Sequence, residues 1–241
     1  MTSIPKNPEP IRRKRLYEEV VERLEQLIHS GQLKPGDPLP VERELMEMYG
    51  VGRPAIREAI LTLQKAGLVS VTGGSRARVT EPTAEMVVES LSTTARHLLA
   101  DPDGVRNFQE ARKLFEVGLV RYAAKNASKK DLQKLKKALK ENHQSIGDIN
   151  WFERTDMAFH YVLAVIPNNP IFTAIHAAIS DWLYEQRHTT LSSPGQNEVA
   201  YQAHAAIAEA IIDQNADLAE RLMEQHLDQV AKVYWEAKEE Q

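Results

Sequence analysis

The chain contains no cysteine. That absence excludes disulfides, rules out any zinc site built on thiolates, and removes the need for an oxidising compartment. No apolar run approaches the roughly 18 residues that a membrane span requires. The first residues lack the apolar core of a secretory signal, so a cytoplasmic location is expected. Common catalytic signatures are missing too: there is no His-Glu-x-x-His helix, no Gly-x-Ser-x-Gly turn and no phosphate-binding glycine loop. What remains is an ordinary globular composition, 42% apolar and 27% charged. Its 241 residues leave room for two domains, each with its own core.

Charge is divided unevenly along the chain. The net value of −4 conceals a first part, residues 1–80, at +3 and a remainder at −7. An anionic partner therefore belongs with the first third.

Residues 1–14 carry three prolines and the run Arg12-Arg13-Lys14, continued by Arg15. They are expected to form a flexible basic arm, either a solvated charge run or an arm touching phosphates or a minor groove. From 15 to 80 the pattern predicts three helices and a hairpin. The first runs about Leu16–Ser30, with Leu16, Val20, Leu24, Leu27 and Ile28 inward and Gly31 ending it. The second runs about Val41–Tyr49, with Pro40 at its start, and the third about Pro54–Ala66, closed by Gly67. The second and third meet at Tyr49-Gly50-Val51-Gly52, where glycine permits a tight turn. Along the third helix Ile56, Ala59, Ile60 and Leu63 make a core face, while Arg53 and Arg57 lie one turn apart on another. Val69-Ser70-Val71-Thr72 and Arg76-Ala77-Arg78-Val79 flank a glycine-rich tip, a hairpin signature. Alternation puts Val69, Val71, Ala77 and Val79 on the packed side and Arg76 and Arg78 toward solvent or phosphate. This is a winged helix-turn-helix, and its exposed arginines suit duplex DNA.

Residues 81–83 read as a linker. From 84 to 241 the pattern is helical, with helices expected at 84–99, 104–126, 129–145, 150–165, 170–189, 196–213 and 216–238. Breaks fall at Pro102, Ser128, Gly147, Pro170, Gly195 and Asn215. Helices of this length with short connections predict an all-α antiparallel bundle. The fold class is mainly α, with no internal repeat.

Within the helical part, Asp156 and His160 are four residues apart and point the same way. His204 and His226 each fall on the apolar stripe of their helix, where an unpaired imidazole is costly. Three imidazoles and a carboxylate from three helices suit zinc, or nickel or manganese, with coordination positions left open. The alternative from the residues alone is a set of satisfied core histidines. His29, His97, His143, His176 and His188 lack this pattern and read as structural or surface groups.

Residues Gly36-Asp37-Pro38-Leu39-Pro40-Val41-Glu42-Arg43-Glu44-Leu45, then Val51-Gly52-Arg53-Pro54-Ala55-Ile56-Arg57-Glu58-Ala59-Ile60, then Leu63 and Gly67-Leu68-Val69 resemble the winged helix of the GntR regulators. The helical remainder resembles the FadR-type (FCD) effector domain of that superfamily. The resemblance is strongest to its sialic-acid-responsive repressors, through Arg76-Ala77-Arg78-Val79, Leu119 to Ala124, and Ile166-Pro167-Asn168-Asn169-Pro170-Ile171-Phe172 running on to Trp182. It departs from the family at Gly52, where serine is usual, and in the wing, where a more basic strand replaces the usual Gly-x-Gly tip.

The resemblance implies DNA contacts at Arg43, Arg53, Arg57 and Gly74, and the basic strand adds Arg76. An arginine fork can grip guanine O6 and N7 together. The alternative for Arg43 and Arg57 is ion pairing with Glu47 and Glu58. It also implies a divalent metal, Zn2+ first, on Asp156, His160, His204 and His226, and a small carboxylate effector such as N-acetylneuraminate. Arg112 matches an arginine that recurs near the ligand in this domain family; its alternative is an ion pair with Glu116. Asn142, Gln144 and Ser145 can supply hydrogen bonds to a polyhydroxylated acid. The expected protein is a homodimeric regulator of sugar-acid catabolism genes, with operator DNA as partner. Two further readings stand beside it: a metalloenzyme whose open site activates water, and a bundle whose metal only staples helices.

Overall fold

The computed structural model describes residues 14–73, 75–89 and 91–239. The expected arm over 1–14 lies, apart from Lys14, outside the described residues, as does Gly74. The chain divides into two compact units, Met1–Met86 and Val87–Gln241.

The first unit holds α1 (Leu16–His29), α2 (Glu42–Tyr49), α3 (Arg53–Lys65), β1 (Val69–Ser70) and β2 (Arg78–Val79). The two strands pair antiparallel, Val69 opposite Val79 and Ser70 opposite Arg78. Gly50 closes α2 at φ +63° and Gly67 follows α3 at φ +71°, left-handed conformations that glycine adopts without a Cβ clash. Gly52 caps α3 with no side-chain bond. Glu44 Oε2 accepts from Val41 N at 2.9 Å, securing the start of α2. The core joins Val20 and Leu24 of α1 to Leu45, Ile56, Ala59 and Leu63, with Val69 and Val79 closing it.

Three local expectations change. Val71 is 39% exposed because the ladder ends at Ser70, so no pairing enforces alternation beyond it. Leu16 is also exposed, since the buried run of α1 begins one turn later at Val20. Pro40 stands outside α2, with Val41 as the capping residue.

The helices that follow are α4 (Ala84–Glu89), α5 (Ser92–Leu98), α6 (Pro102–Asn126), α7 (Lys129–Gln144), α8 (Ile149–Val165), α9 (Pro170–Trp182), α10 (Tyr184–Ser192), α11 (Gln196–Ile212) and α12 (Ala216–Glu239). Their starts are capped as the residue types require: Asp101, Ser128, Asp148 and Asn169 each accept from a backbone N–H of the first turn. α6 and α12 run antiparallel along their length. Arg106 and Gln109 meet Trp235, Lys113 pairs with Asp228, and Arg121 pairs with Asp217 and Glu220. Leu119, Val120, Ala123, Phe159, Leu163, Ile207, Ile211 and Met223 form the core between α6, α8, α11 and α12.

Two helices expected to be continuous are broken. The 84–99 segment is α4 and α5, and the 170–189 segment is α9 and α10, divided at Leu183 with φ −98° and ψ 22°. Neither glycine nor proline marks Leu183. Leu183 is itself buried, and Arg187 Nη2 donates to Ser180 O at 3.0 Å, satisfying a carbonyl near the end of α9.

Candidate metal centre and DNA-facing surface

The exposed face of α3 begins with Arg53 and Arg57, whose side chains are 61% and 62% exposed. Glu42, the first residue of α2, holds both. Its Oε1 accepts from Arg57 Nε at 2.9 Å and its Oε2 lies 3.5 Å from Arg53 Nε. The partner of Arg57 is therefore Glu42 rather than Glu58, reached across the helix–turn–helix. Arg43 is more exposed still, with Glu47 Oε1 at 3.8 Å. Arg76 is exposed, donates from Nε to Leu39 O, and has Glu44 Oε2 at 3.4 Å from Nη2. Arg78 Nη1 donates to Gly36 O at 2.8 Å. The helix that would enter a groove thus presents two cations at its N-terminal end, where a major groove is most readily reached.

In the second unit His160 from α8, His204 from α11 and His226 from α12 converge. One ring nitrogen of each lies within 4.8 Å of the others, and all three side chains are buried. Stacking organises them: His160 and His226 are parallel with centroids 5.5 Å apart, and Phe159 stacks on His204 at 4.3 Å. Asp156 Oδ1 stands 3.5 Å from His204 Nε2, so the fourth expected group reaches the same place.

Each of two imidazoles is gripped on its far side. His160 Nδ1 bonds Glu116, whose other oxygen accepts from Arg112 Nε at 2.6 Å. His204 Nδ1 faces Asn142 Oδ1 at 2.9 Å, and Asn142 Nδ2 donates to Thr155 Oγ1 at 3.1 Å. Those grips leave Nε2 of His160 and of His204 buried without a hydrogen-bond partner among the described residues. Two orphaned sp2 nitrogens facing a third imidazole and a carboxylate are the donor set of a divalent transition metal. The residues fit such an ion.

Electrostatics keep the site ready. Burial, with His160 next, pushes the His204 imidazolium well below its ordinary range; burial, with His204 next, does the same to His226. Both rings are therefore neutral, as a group that could hold a metal must be. Burial alone would raise the Glu116 carboxyl, but Arg112 and His160 outweigh it and hold Glu116 well below the usual range. Its charge polarises the His160 ring.

The other expected contacts fall as follows. Arg112 is both an ion-pair partner of Glu116 and a wall of the cavity beside the histidines, together with Asp156, Arg187, Thr190 and His226. Asn142, Gln144 and Ser145 do not line that cavity. Asn142 is committed to His204 and Thr155, Ser145 Oγ to Asn142 O and Thr155 Oγ1, and Gln144 is exposed. Asn142 thus contacts His204 directly, and Ser145 is linked to that ring only through Asn142 and Thr155. Thr155 and Arg187, given no role from the sequence, and Glu116, expected only as an ion-pair alternative for Arg112, are buried around this centre. The i,i+4 spacing of Arg112 and Glu116 was the one local sign.

Comparison with known proteins gives the family. Residues 16–79 match the bacterial regulatory proteins of the gntR family, and residues 108–229 match the FCD domain. The HTH-type transcriptional repressor NanR of Cronobacter sakazakii is 44% identical over 230 residues, covering 95% of this chain and 88% of that one. NanR of Escherichia coli K12 is 44% identical over 227 residues, covering 93% and 86%. Among solved structures, a Streptococcus agalactiae GntR protein superposes with TM-score 0.61 at 25% identity, over 90% of this chain and 99% of that one. Escherichia coli McbR/YncC, at 18% identity and TM-score 0.52 over 93% and 99%, shares the fold. Among the described residues no helix is long and apolar enough to cross a membrane. The chain belongs to the gntR family of bacterial regulators, with a DNA-binding winged helix followed by an FCD domain, and it is a transcription regulator rather than an enzyme.

Proposed function

We propose that the chain is a homodimeric, cytoplasmic repressor of sugar-acid catabolism genes that releases its operator when N-acetylneuraminate reaches a Zn2+ ion held by Asp156, His160, His204 and His226. One observation carries the ligand-sensing part: three buried imidazoles converge with two Nε2 atoms left unpartnered. Four protein donors leave one or two positions open on an ion that expands to five or six ligands, and a hydroxy-carboxylate can fill them. Kinship with proteins named as repressors supports the sign of regulation.

Arg53 and Arg57 read guanine edges in the major groove, while Arg43 and Arg76 contact the backbone and set orientation. A dimer meets two half-sites on successive turns of the duplex. In the second unit, Glu116 and Asn142 hold His160 and His204 in register, and Arg112 balances negative charge. The cavity beside them has a volume of about 20 Å3, room for a water-sized group. A nine-carbon acid therefore extends beyond this cavity, and its arrival at the ion is what operator affinity senses. Reciprocity requires operator DNA to weaken acid binding by the same factor.

The test is fluorescence anisotropy on promoter DNA, titrated with N-acetylneuraminate, glucuronate and lactate, with and without chelator. Zinc-loaded protein is expected to leave DNA on addition of N-acetylneuraminate, and chelated protein to ignore it. Displacement that is unaffected by chelation ends the metal-centred reading; displacement by another acid alone ends the sialic-acid assignment.

A further inference from the structure

Two guanidinium groups stand at the cavity beside the histidines, and they are unequally satisfied. Arg112 Nε donates to Glu116 Oε1 at 2.6 Å. Arg187 is only 5% exposed, yet its Nε has no hydrogen-bond partner among the described residues. Asp156 Oδ2 is 3.7 Å away, beyond hydrogen-bonding reach. Nη2 is tied to the Ser180 carbonyl at 3.0 Å, which fixes the plane of the group without neutralising it. Buried donors are rarely left this way without a reason.

Charge points the same way. Without an ion, Arg112 and Arg187 are offset by Glu116 and Asp156. A divalent ion among neutral imidazoles adds two positive charges, and Asp156 is then shared with it. A buried site with that excess calls for an anion.

Position narrows the anion. Arg187 lines two spaces at once: the small cavity with Arg112, Asp156 and His226, and a groove of about 440 Å3 bounded by Tyr161, His176, Ser180 and Asp181. His176 is 4% exposed, and both its ring nitrogens lack partners among the described residues. Burial lowers its pKa to about 4, so the neutral ring offers one donor and one acceptor, the complement of a hydroxyl.

We propose that Arg187 is the carboxylate anchor of the effector site, and that the hydroxylated remainder of the acid lies in the groove beside His176. The planar fork of arginine matches a carboxylate, and the groove supplies the volume that the cavity lacks. This rests on the acid-responsive reading above.

The experiment is calorimetric titration of N-acetylneuraminate, its methyl ester, glucuronate and lactate into the zinc-loaded full chain. Arg187→Gln, Arg187→Lys and His176→Phe are compared with the unaltered protein, each with its zinc content and thermal melt. The unaltered protein is expected to bind the free acid and reject the ester. Arg187→Gln loses roughly 10- to 100-fold in affinity with zinc retained, and Arg187→Lys, which keeps the charge without the fork, falls between. His176→Phe weakens N-acetylneuraminate and leaves lactate unchanged. Equal affinity in Arg187→Gln, or loss of zinc together with the acid, overturns the anchor while the sensor reading stands; equal binding of the ester overturns the anchor and the carboxylate's place on the ion together. An unaltered protein that prefers another acid removes sialic acid, and the same variants then judge Arg187 with that acid. One that binds none of them removes sensor and anchor together.

Discussion

Glu42 holds Arg57 across the helix–turn–helix, its Oε1 accepting from Arg57 Nε at 2.9 Å. The same carboxylate lies 3.5 Å from Arg53 Nε. One acidic group therefore pre-positions both cations of α3 and offsets part of their charge; on the proposed reading, DNA competes with it for them. Exposed pairs of this kind contribute little to stability. Their consequence is for recognition.

Glu42→Gln is expected to leave the fold intact and raise affinity for non-specific DNA, because a negative charge next to the duplex is gone. The ratio of operator to non-operator affinity should fall as the two arginines lose a common tether. Anisotropy on both DNAs across a salt series measures this. Parallel weakening on both DNAs would show that Glu42 is needed for the fold and not for tuning.

Arg57→Ala, and Arg53→Ala after it, should weaken operator binding by roughly 10- to 100-fold each, as the loss of a bidentate guanine contact does. Melting temperature should hold, since both side chains are more than half exposed. Arg43→Ala should weaken all sequences alike and flatten the salt slope by about 0.9. A variant of Arg57 that shifts operator DNA like the parent protein would remove α3 from the groove.

Glu116→Gln should lower metal affinity roughly 10- to 100-fold, because the charged partner that makes His160 a stronger ligand is neutralised. Asn142→Ala should act in the same direction through His204, which loses its 2.9 Å partner. Competition with a coloured zinc chelator reads both. Unchanged affinity in both variants would mean the histidines hold their metal without help from Glu116 or Asn142.

Removing the metal should lower the melting temperature. An ion present at a thousandfold excess over Kd stabilises the fold by about 4 kcal/mol, and His160, His204 and His226 tie three different helices together. Differential scanning calorimetry with chelator, then with added Zn2+, gives the shift and its reversal. Identical melts would rule out an ion bound by the folded state alone.

The helix–turn–helix was legible because its determinants are local. Gly50, Pro54 and Gly67 punctuate the chain, and the spacing of Ile56, Ala59 and Leu63 names the buried side, which leaves Arg53 and Arg57 outside. The position of His204 and His226 on apolar stripes likewise marked them as buried. The break at Leu183 was invisible, since apolar periodicity runs through it and no glycine or proline interrupts it.

The sequence by itself determined the buried side of the helix–turn–helix, the helix ends that glycine, proline or a capping residue marks, and which third of the chain carries positive charge; each follows from neighbours within a turn or two. Tertiary structure alone decided what the inward polar groups touch. Glu116 reaches His160 over 44 positions and Asn142 reaches His204 over 62, while Arg187 faces Asp156 only because the chain bends after α9. Such pairings depend on how whole helices pack, and a hydrogen bond between distant helices leaves no periodic trace along either one.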